Sequence, residues 1–268
     1  MTVRRETVRA WRRQLHGSLV ILKKNARLYY LKPPVLIFGV LFPVFFFLAF
    51  KMGRPMFFFL AFKMGRPIAA ENIVPGMIAM ALWFTASAVG PLVTPWERSA
   101  KTYERLISTP VSLRAILAGD VMSGMVFGIC LSVVPILIGL LFTDASIDSG
   151  PILTAGIVLG ALSFASLGVL LAAPPASSPS NIMLLSNLIR IPLLFVSGIF
   201  MPIGQMPFWV RWIAPLSPLS YVTALIHTAF GRPAFFPVRL SLLMLVLFTL
   251  AFLMASCKFH NMWRAKGL

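Results

Sequence analysis

Thr94-Pro95-Trp96-Glu97-Arg98-Ser99-Ala100-Lys101-Thr102-Tyr103-Glu104-Arg105-Leu106-Ile107-Ser108-Thr109-Pro110 is a polar island between two long apolar segments. Thr94 is placed to cap a helix whose first position is Pro95, with Glu97 reaching back from the third position. At about 100° per residue, Trp96, Ala100, Tyr103 and Ile107 share one side of that helix, and Glu97, Arg98, Lys101, Glu104 and Arg105 cover the rest. Thr109-Pro110 repeats the cap-plus-proline device, ending the first helix and opening the next. The island therefore reads as a helical connector on the water side of a bilayer.

The composition agrees. Of 268 residues, 59% are hydrophobic and 12% charged, with a mean hydropathy of +0.89. That is far outside the range of soluble globular domains and describes a polytopic, all-α integral membrane protein. The net charge of +17 does not imply nucleic acid, because Lys and Arg concentrate beside the apolar spans, where topology accounts for the excess. Cys130 and Cys257 lie far apart in apolar segments and read as small core hydrophobes, not as a disulfide or metal pair.

Residues 1–32 hold nine Lys or Arg against one Glu. As a helix they line up Val8, Trp11, Leu15, Leu19, Leu22 and Ala26, opposite Arg9, Arg12, Arg13, His16, Lys23, Lys24 and Arg27. This is the pattern of a cytoplasmic interfacial amphipathic helix; the alternative is a partly disordered basic arm that only sets orientation. Residues 33–268 form the spanning domain, with an inner coupling loop at 94–112 and an outer re-entrant segment at 201–232. The first apolar run is expected to be an uncleaved anchor.

Six spans are expected: Pro34 to Phe50, Ile73 to Val93, Ala115 to Phe142, Ile152 to Ala173, Ile182 to Phe200, and Val238 to Cys257. Between the first two, FFFLAFKMGRP recurs unchanged at 45–55 and 57–67, as in a local tandem duplication. The fourth span carries Gly156, Gly160, Ser163, Ser166 and Gly168, which permit close helix packing. Segment 201–232 is too broken by proline to span, and is expected to form short helices dipping into the outer leaflet between spans five and six. With both termini cytoplasmic, sixteen Lys or Arg lie inside and seven outside, four of the seven in the duplicated segment.

Several stretches together carry a family resemblance: Val74-Pro75-Gly76; Trp96-Glu97-Arg98 through Thr102-Tyr103-Glu104-Arg105-Leu106; Thr109-Pro110-Val111-Ser112; Pro192 through Pro202; Met206-Pro207; and Ser217-Pro218-Leu219-Ser220-Tyr221. In their order and spacing the chain resembles the membrane-spanning permeases of type-2 ABC exporters, the group of daunorubicin-resistance and nodulation-factor export permeases. The duplicated segment and the acidic Asp120, where a basic residue is expected, depart from that pattern.

The resemblance implies a permease subunit in the cytoplasmic membrane, paired with a second permease copy or homologue. Below each, a separate soluble ABC ATPase would carry the ATP and Mg, with no cofactor on this chain. The absence of a GxxxxGK[ST] phosphate loop accords with that division. The implied coupling residues are Trp96, Glu97, Arg98, Tyr103, Glu104 and Arg105, and the implied cargo is a lipid, drug-like amphiphile or glycoconjugate. Arg190, Pro192, Ser197 and Gly198 mark a candidate substrate path. For Arg190, a charge well inside a span, the readings are a path-lining group or a structural arginine bonded to carbonyls freed by Pro192 or snorkelling inward. The competing functions are an intramembrane lipid-modifying enzyme and a non-transporting assembly component. The enzyme is not favoured by a span content of Asp120 and Arg190 without acidic companions.

The topology is directly testable. Cys introduced at Ser146 should react with an impermeant maleimide from outside intact cells, and Cys introduced at Ser99 only after the cytoplasm is exposed. The reverse pattern would invert the chain.

Overall fold

The computed structural model describes residues 2–30, 73–108, 111–143, 145–174 and 178–265, with four isolated positions between 41 and 48. The expected first span and the duplicated segment therefore lie outside the described residues, apart from those four positions. Every regular element described is helical. The order is α1 (Thr2–Asn25, continued by a π turn Ala26–Tyr30), α2 (Ile73–Ser99), α3 (Thr102–Ile107), α4 (Leu113–Phe142), α5 (Gly150–Leu171), α6 (Pro179–Val196), α7 (Phe208–Ile213), α8 (Pro218–Ala229) and α9 (Val238–Ala265). Among the described residues five helices, α2, α4, α5, α6 and α9, are long and apolar enough to cross a membrane. They coincide with expected spans two to six.

Burial separates an inner pair from an outer ring. Of their most apolar windows, 78% of α2 and 67% of α5 lie inside the fold, against 28% of α4 and 22% each of α6 and α9. The inner pair meets backbone to backbone. Pro91 has no N–H to give the carbonyl of Ser87, and Gly168 of α5 lies over that carbonyl, where a Cβ would sit 2.5 Å from the oxygen. Gly90 in turn abuts the carbonyl of Gly168. On the other side, Cβ atoms at Gly124 and Gly128 of α4 would stand 2.8 Å from the Ala86 carbonyl and 2.7 Å from its Cβ. The three spans converge on small residues because lipid supplies no hydrophobic drive between helices, so close packing must hold them. Gly156 and Gly160 extend the expected small-residue face of α5 and receive Leu225 and Val222 of α8. Trp83 and Phe164 fill the space beside the crossing edge to face, with centroids 4.7 Å apart.

α1 is helical, and it docks on α4 by a small and polar edge. Ser18 donates to the Ala115 carbonyl at 2.8 Å, Gly17 faces Val111, and Ile21 packs on Gly119. Gln14 accepts from both the backbone N–H and the hydroxyl of Ser112. Leu15 and Leu19, from the expected apolar stripe, remain exposed, as do His16, Lys23 and Arg27. The side chains of Val8, Trp11, Arg9, Arg12 and Arg13 are outside the described set.

Three local expectations are corrected. Thr94 does not cap a helix: α2 runs through Pro91 and Pro95 to Ser99, held by the complete burial of Val89 and Val93, and the Thr94 hydroxyl has no partner. The following long helix is capped by Ser112, whose hydroxyl accepts from Ala115 N, while Thr109 and Pro110 lie outside the described residues. Cys130 is exposed and Cys257 half-buried, so neither is a core residue.

Segment 201–232 folds as short helices. The twelve residues of α8 cover about 18 Å, less than the ~30 Å of a hydrocarbon core. α8 is nonetheless deeply buried, with Leu219, Val222, Leu225 and Ile226 inaccessible. Tyr221 closes the preceding loop by donating to the Pro215 carbonyl at 3.0 Å.

Gly168→Val should drive side-chain atoms into the Ser87 carbonyl, where no side chain can yield. Overpacking of this kind costs about 1–3 kcal/mol. Fluorescence-detected size exclusion should show a loss of monodisperse protein, whereas Gly150→Ala, which meets open space, should be silent.

Candidate functional site

The polar island is broken where the sequence suggests continuity. Lys101 takes a left-handed conformation (φ 55°), ending α2 and turning the chain into the six-residue α3. The expected shared face is thereby split: Trp96 is 52% exposed at the end of α2, while Tyr103 on α3 is 7% exposed. Arg105 is exposed, and the side chain of Glu104 is outside the described set.

Two charges of the island, Glu97 and Arg98, point into the fold, while Lys101 and Arg105 are exposed. Buried Glu97 pairs with Lys24 of α1. One residue further along α1, Asn25 donates to the carboxylate of buried Asp120 at 2.7 Å and approaches Ser123 at 3.2 Å. The acidic residue at 120 thus has a neutral amide partner. Arg98 donates to the carbonyls of Ala172, Ala173 and Pro174 at 3.2–3.4 Å, satisfying the free C-terminal end of α5. Its guanidinium lies 5.3 Å from the Tyr103 ring centroid. Tyr103 meets His260 Nδ1 at 3.3 Å, and His260 Nε2 lies 3.4 Å from the Val169 carbonyl. A carbonyl only accepts, so Nε2 carries the proton and the Tyr103 hydroxyl donates to Nδ1. Burial raises the Tyr103 phenol above its usual value, keeping it a neutral donor. The island is therefore a latch joining α1, α5 and α9 to the end of α2, with α4 tied in through Asn25 of α1.

On the opposite side, Ser197, Gly198, Gln205, Ser220, Thr223 and His227 border a cavity of about 280 Å³. Gly198 has φ +84°, a conformation natural only to glycine, and it ends α6 before the expected limit at Phe200.

Residues 17–231 match the model of the ABC-2 type transporter family. The chain belongs to the ABC-2 type transporter family. The curated relatives include the inner membrane transport permease YadH of Escherichia coli K12 and its counterparts in E. coli O157:H7 and Shigella flexneri. Each is 26% identical over 182 residues, covering 68% of this chain and 71% of the relative. The chain is accordingly a multi-pass transport permease of a family that works with an ATPase subunit, not an enzyme.

Within this ABC-2 permease the path residues do not come together. Ser197 and Gly198 border the cavity, while Arg190 and Pro192 stand apart from it. Buried Arg190 donates to the Phe84 carbonyl at 2.8 Å and stacks over the Phe84 ring at 5.1 Å. Trp83 donates back to the Arg190 carbonyl at 3.3 Å. Arg190 thus clamps α6 to α2, through a carbonyl other than the one Pro192 frees. The sequence reading turned Lys24 toward the headgroups, where the structure pairs it with Glu97. It assigned no site role to Asn25 and His260 in the latch or to Gln205, Ser220, Thr223 and His227 at the cavity. The last three recur at i, i+3 and i+7 along α8, a helical polar stripe that was available as a signal.

Asn25→Ala should leave the buried Asp120 carboxylate without its donor, lowering stability by about 1–3 kcal/mol. Thermal unfolding in detergent should show the loss, and Asp120→Ala added to it should recover part. Strict additivity of the two changes would show that the pair does not interact.

Proposed function

We propose that this chain is the permease subunit of an ATP-driven exporter of a lipid, drug-like amphiphile or glycoconjugate. It would work as one of two permease copies in the cytoplasmic membrane, with both termini cytoplasmic and a soluble ABC ATPase docked against the 94–112 loop. Segment 201–232 then dips into the outer leaflet, where the surrounding helices shelter its backbone.

The observation that carries the coupling role is the division of labour within the island. Glu97, Arg98 and Tyr103 are consumed by contacts to α1, α5 and α9, while Trp96 and Arg105 remain exposed on the same short, firmly held unit. A partner that grips Trp96 and Arg105 moves an element already fastened to three other helices. Displacement of α3 then reaches α9 through Tyr103 and His260, and α5 through Arg98, without a flexible joint. The residues assigned to coupling separate into exposed grips and buried transmitters.

Trp96→Ala with Arg105→Ala should leave the fold intact, because both side chains are exposed, yet weaken ATPase docking. Loss of an aromatic anchor from an interface costs about 2 kcal/mol or more, a tenfold or greater loss of affinity. Affinity purification from native membranes should recover a stoichiometric P-loop ATPase with the wild type and much less with the double variant. Equal recovery would remove the coupling assignment, and no ATPase with either protein would remove the exporter reading.

A further inference from the structure

We propose that the cavity between α8 and the flanking segments 197–205 and 233–235 binds the uncharged, hydroxyl-bearing head group of a membrane amphiphile, with Ser220 and His227 as its hydrogen-bonding residues. Two buried polar atoms border one space with no protein partner: the Ser220 hydroxyl, on a residue with no accessible surface, and Nε2 of His227. Such atoms are rare because burying an unmet donor or acceptor is costly. Hydroxyls inside helices can avoid that cost by bonding back to their own helix. Ser186, Thr223 and Thr249 each donate to the carbonyl four residues earlier, at 2.7–2.8 Å, whereas Ser163 and Ser256 do not but do not line this cavity. Ser220, the third residue of α8, has no carbonyl of that helix four residues before it, and its hydroxyl is left without a protein partner beside the cavity.

Size and charge narrow the occupant. A cavity of about 280 Å³ exceeds the ~30 Å³ share of one water several-fold, yet falls just short of the ~300 Å³ typical of whole small-molecule pockets. It suits a hexose-sized fragment better than a complete ligand. No Asp, Glu, Lys or Arg lines it. Burial, with Arg232 nearby, lowers His227 to about 4, so the imidazole is neutral near pH 7. Hydroxyl, imidazole and Gln205 amide offer donors and acceptors without net charge, and Pro202, Pro233 and Phe235 supply apolar walls for a ring's C–H face.

The mouth indicates that the head group arrives attached to a chain. Phe235 lines the cavity and is 50% exposed. Three residues beyond Gln205 begin the exposed rings Phe208, Trp209 and Trp212 of α7, a grouping characteristic of the membrane–water interface. Head groups meet their apolar tails at that level.

The test uses the full-length chain in nanodiscs and an alkyl glucoside carrying a diazirine beside the sugar. Photolabelling should map to residues 218–235, saturate, and be displaced by octyl glucoside but not by octyl phosphate. Ser220→Ala, a one-atom deletion, should weaken saturable labelling about three- to tenfold, and Ala224→Phe, which fills the space, should abolish it. Equal displacement by octyl phosphate would show that the alkyl chain and not an uncharged head group is recognised. Labelling indifferent to Ser220→Ala in a folded variant would show that the hydroxyl makes no contact, and absence of saturable labelling would mean that the cavity merely holds water; each overturns the proposal. The site itself is tested without ATP and so does not depend on the exporter reading. Only the source of the head group rests on that reading: with the ATPase partner present, label lost on ATP turnover identifies cargo, and label retained identifies a resident lipid.

Discussion

The carbonyl of Ser87, deprived of its helical donor by Pro91, lies under the backbone of Gly168, and Gly90 lies against the carbonyl of Gly168 in return. At that point α2 and α5 are separated by no side chain. Inside a bilayer, an apolar side chain gains little by leaving lipid for protein, so the association of spans rests on the density of close contacts. The crossing provides that density, and the neighbouring helices are arranged by it. α4 reaches Ala86 only because Gly124 and Gly128 face it, and α8 is seated by Gly156 and Gly160 further along α5. A helix as short as α8 can be fully buried because α5 offers it a trough instead of a ridge.

The same pair of helices is tied a second time. Arg98 lies eight residues beyond Gly90, about 12 Å along α2, and holds the carbonyls at the end of α5. One contact would leave the helices free to pivot; two contacts that far apart remove the pivot. The latch then adds α1 through Lys24 and Asn25, and α9 through His260, to a pair whose mutual angle is already set. This order explains how the polar island is fastened at several points despite its short helix and exposed position.

Hydropathy made the five described spans legible, since long apolar runs bounded by charge admit few other folds. Their ends were not legible. Thr94-Pro95 has the local chemistry of a helix start, but burial of Val89 and Val93 carries α2 straight through it, an instance of tertiary packing overriding local propensity. Glu97 and Arg98 stood out as charges at the inner side, but their partners lie far away in the chain: Lys24 is 73 residues from Glu97, and His260 is 157 residues from Tyr103. Arg190 was visible as an anomaly, while its partner, the Phe84 carbonyl, is a backbone group that leaves no trace in sequence. The cavity was the reverse case. Ser220, Thr223 and His227 formed a readable stripe, overshadowed by the prolines that broke the segment around it.

The two sides of the molecule differ in how completely their polar groups are satisfied. On the side of the polar island Lys24, Asn25, Glu97, Arg98, Asp120, Tyr103 and His260 each have a protein partner, with only the Asn25 Oδ1 and the Thr94 hydroxyl left unmet beside them. A network so densely paired resists rearrangement, because moving any member strands another in a low-dielectric setting. On the other side, Ser220 and His227 border a cavity with unmet hydrogen-bonding atoms, and no Asp, Glu, Lys or Arg lines it. The densely paired network suits transmission of force, and the cavity with its unmet groups suits recognition. The structural link between them is α5, whose end is gripped by Arg98 and whose glycines seat the helix that carries Ser220 and His227. In the proposed exporter, driven from the side of the polar island, a shift of that helix would alter the cavity by way of the α8 seat, with no separate relay required.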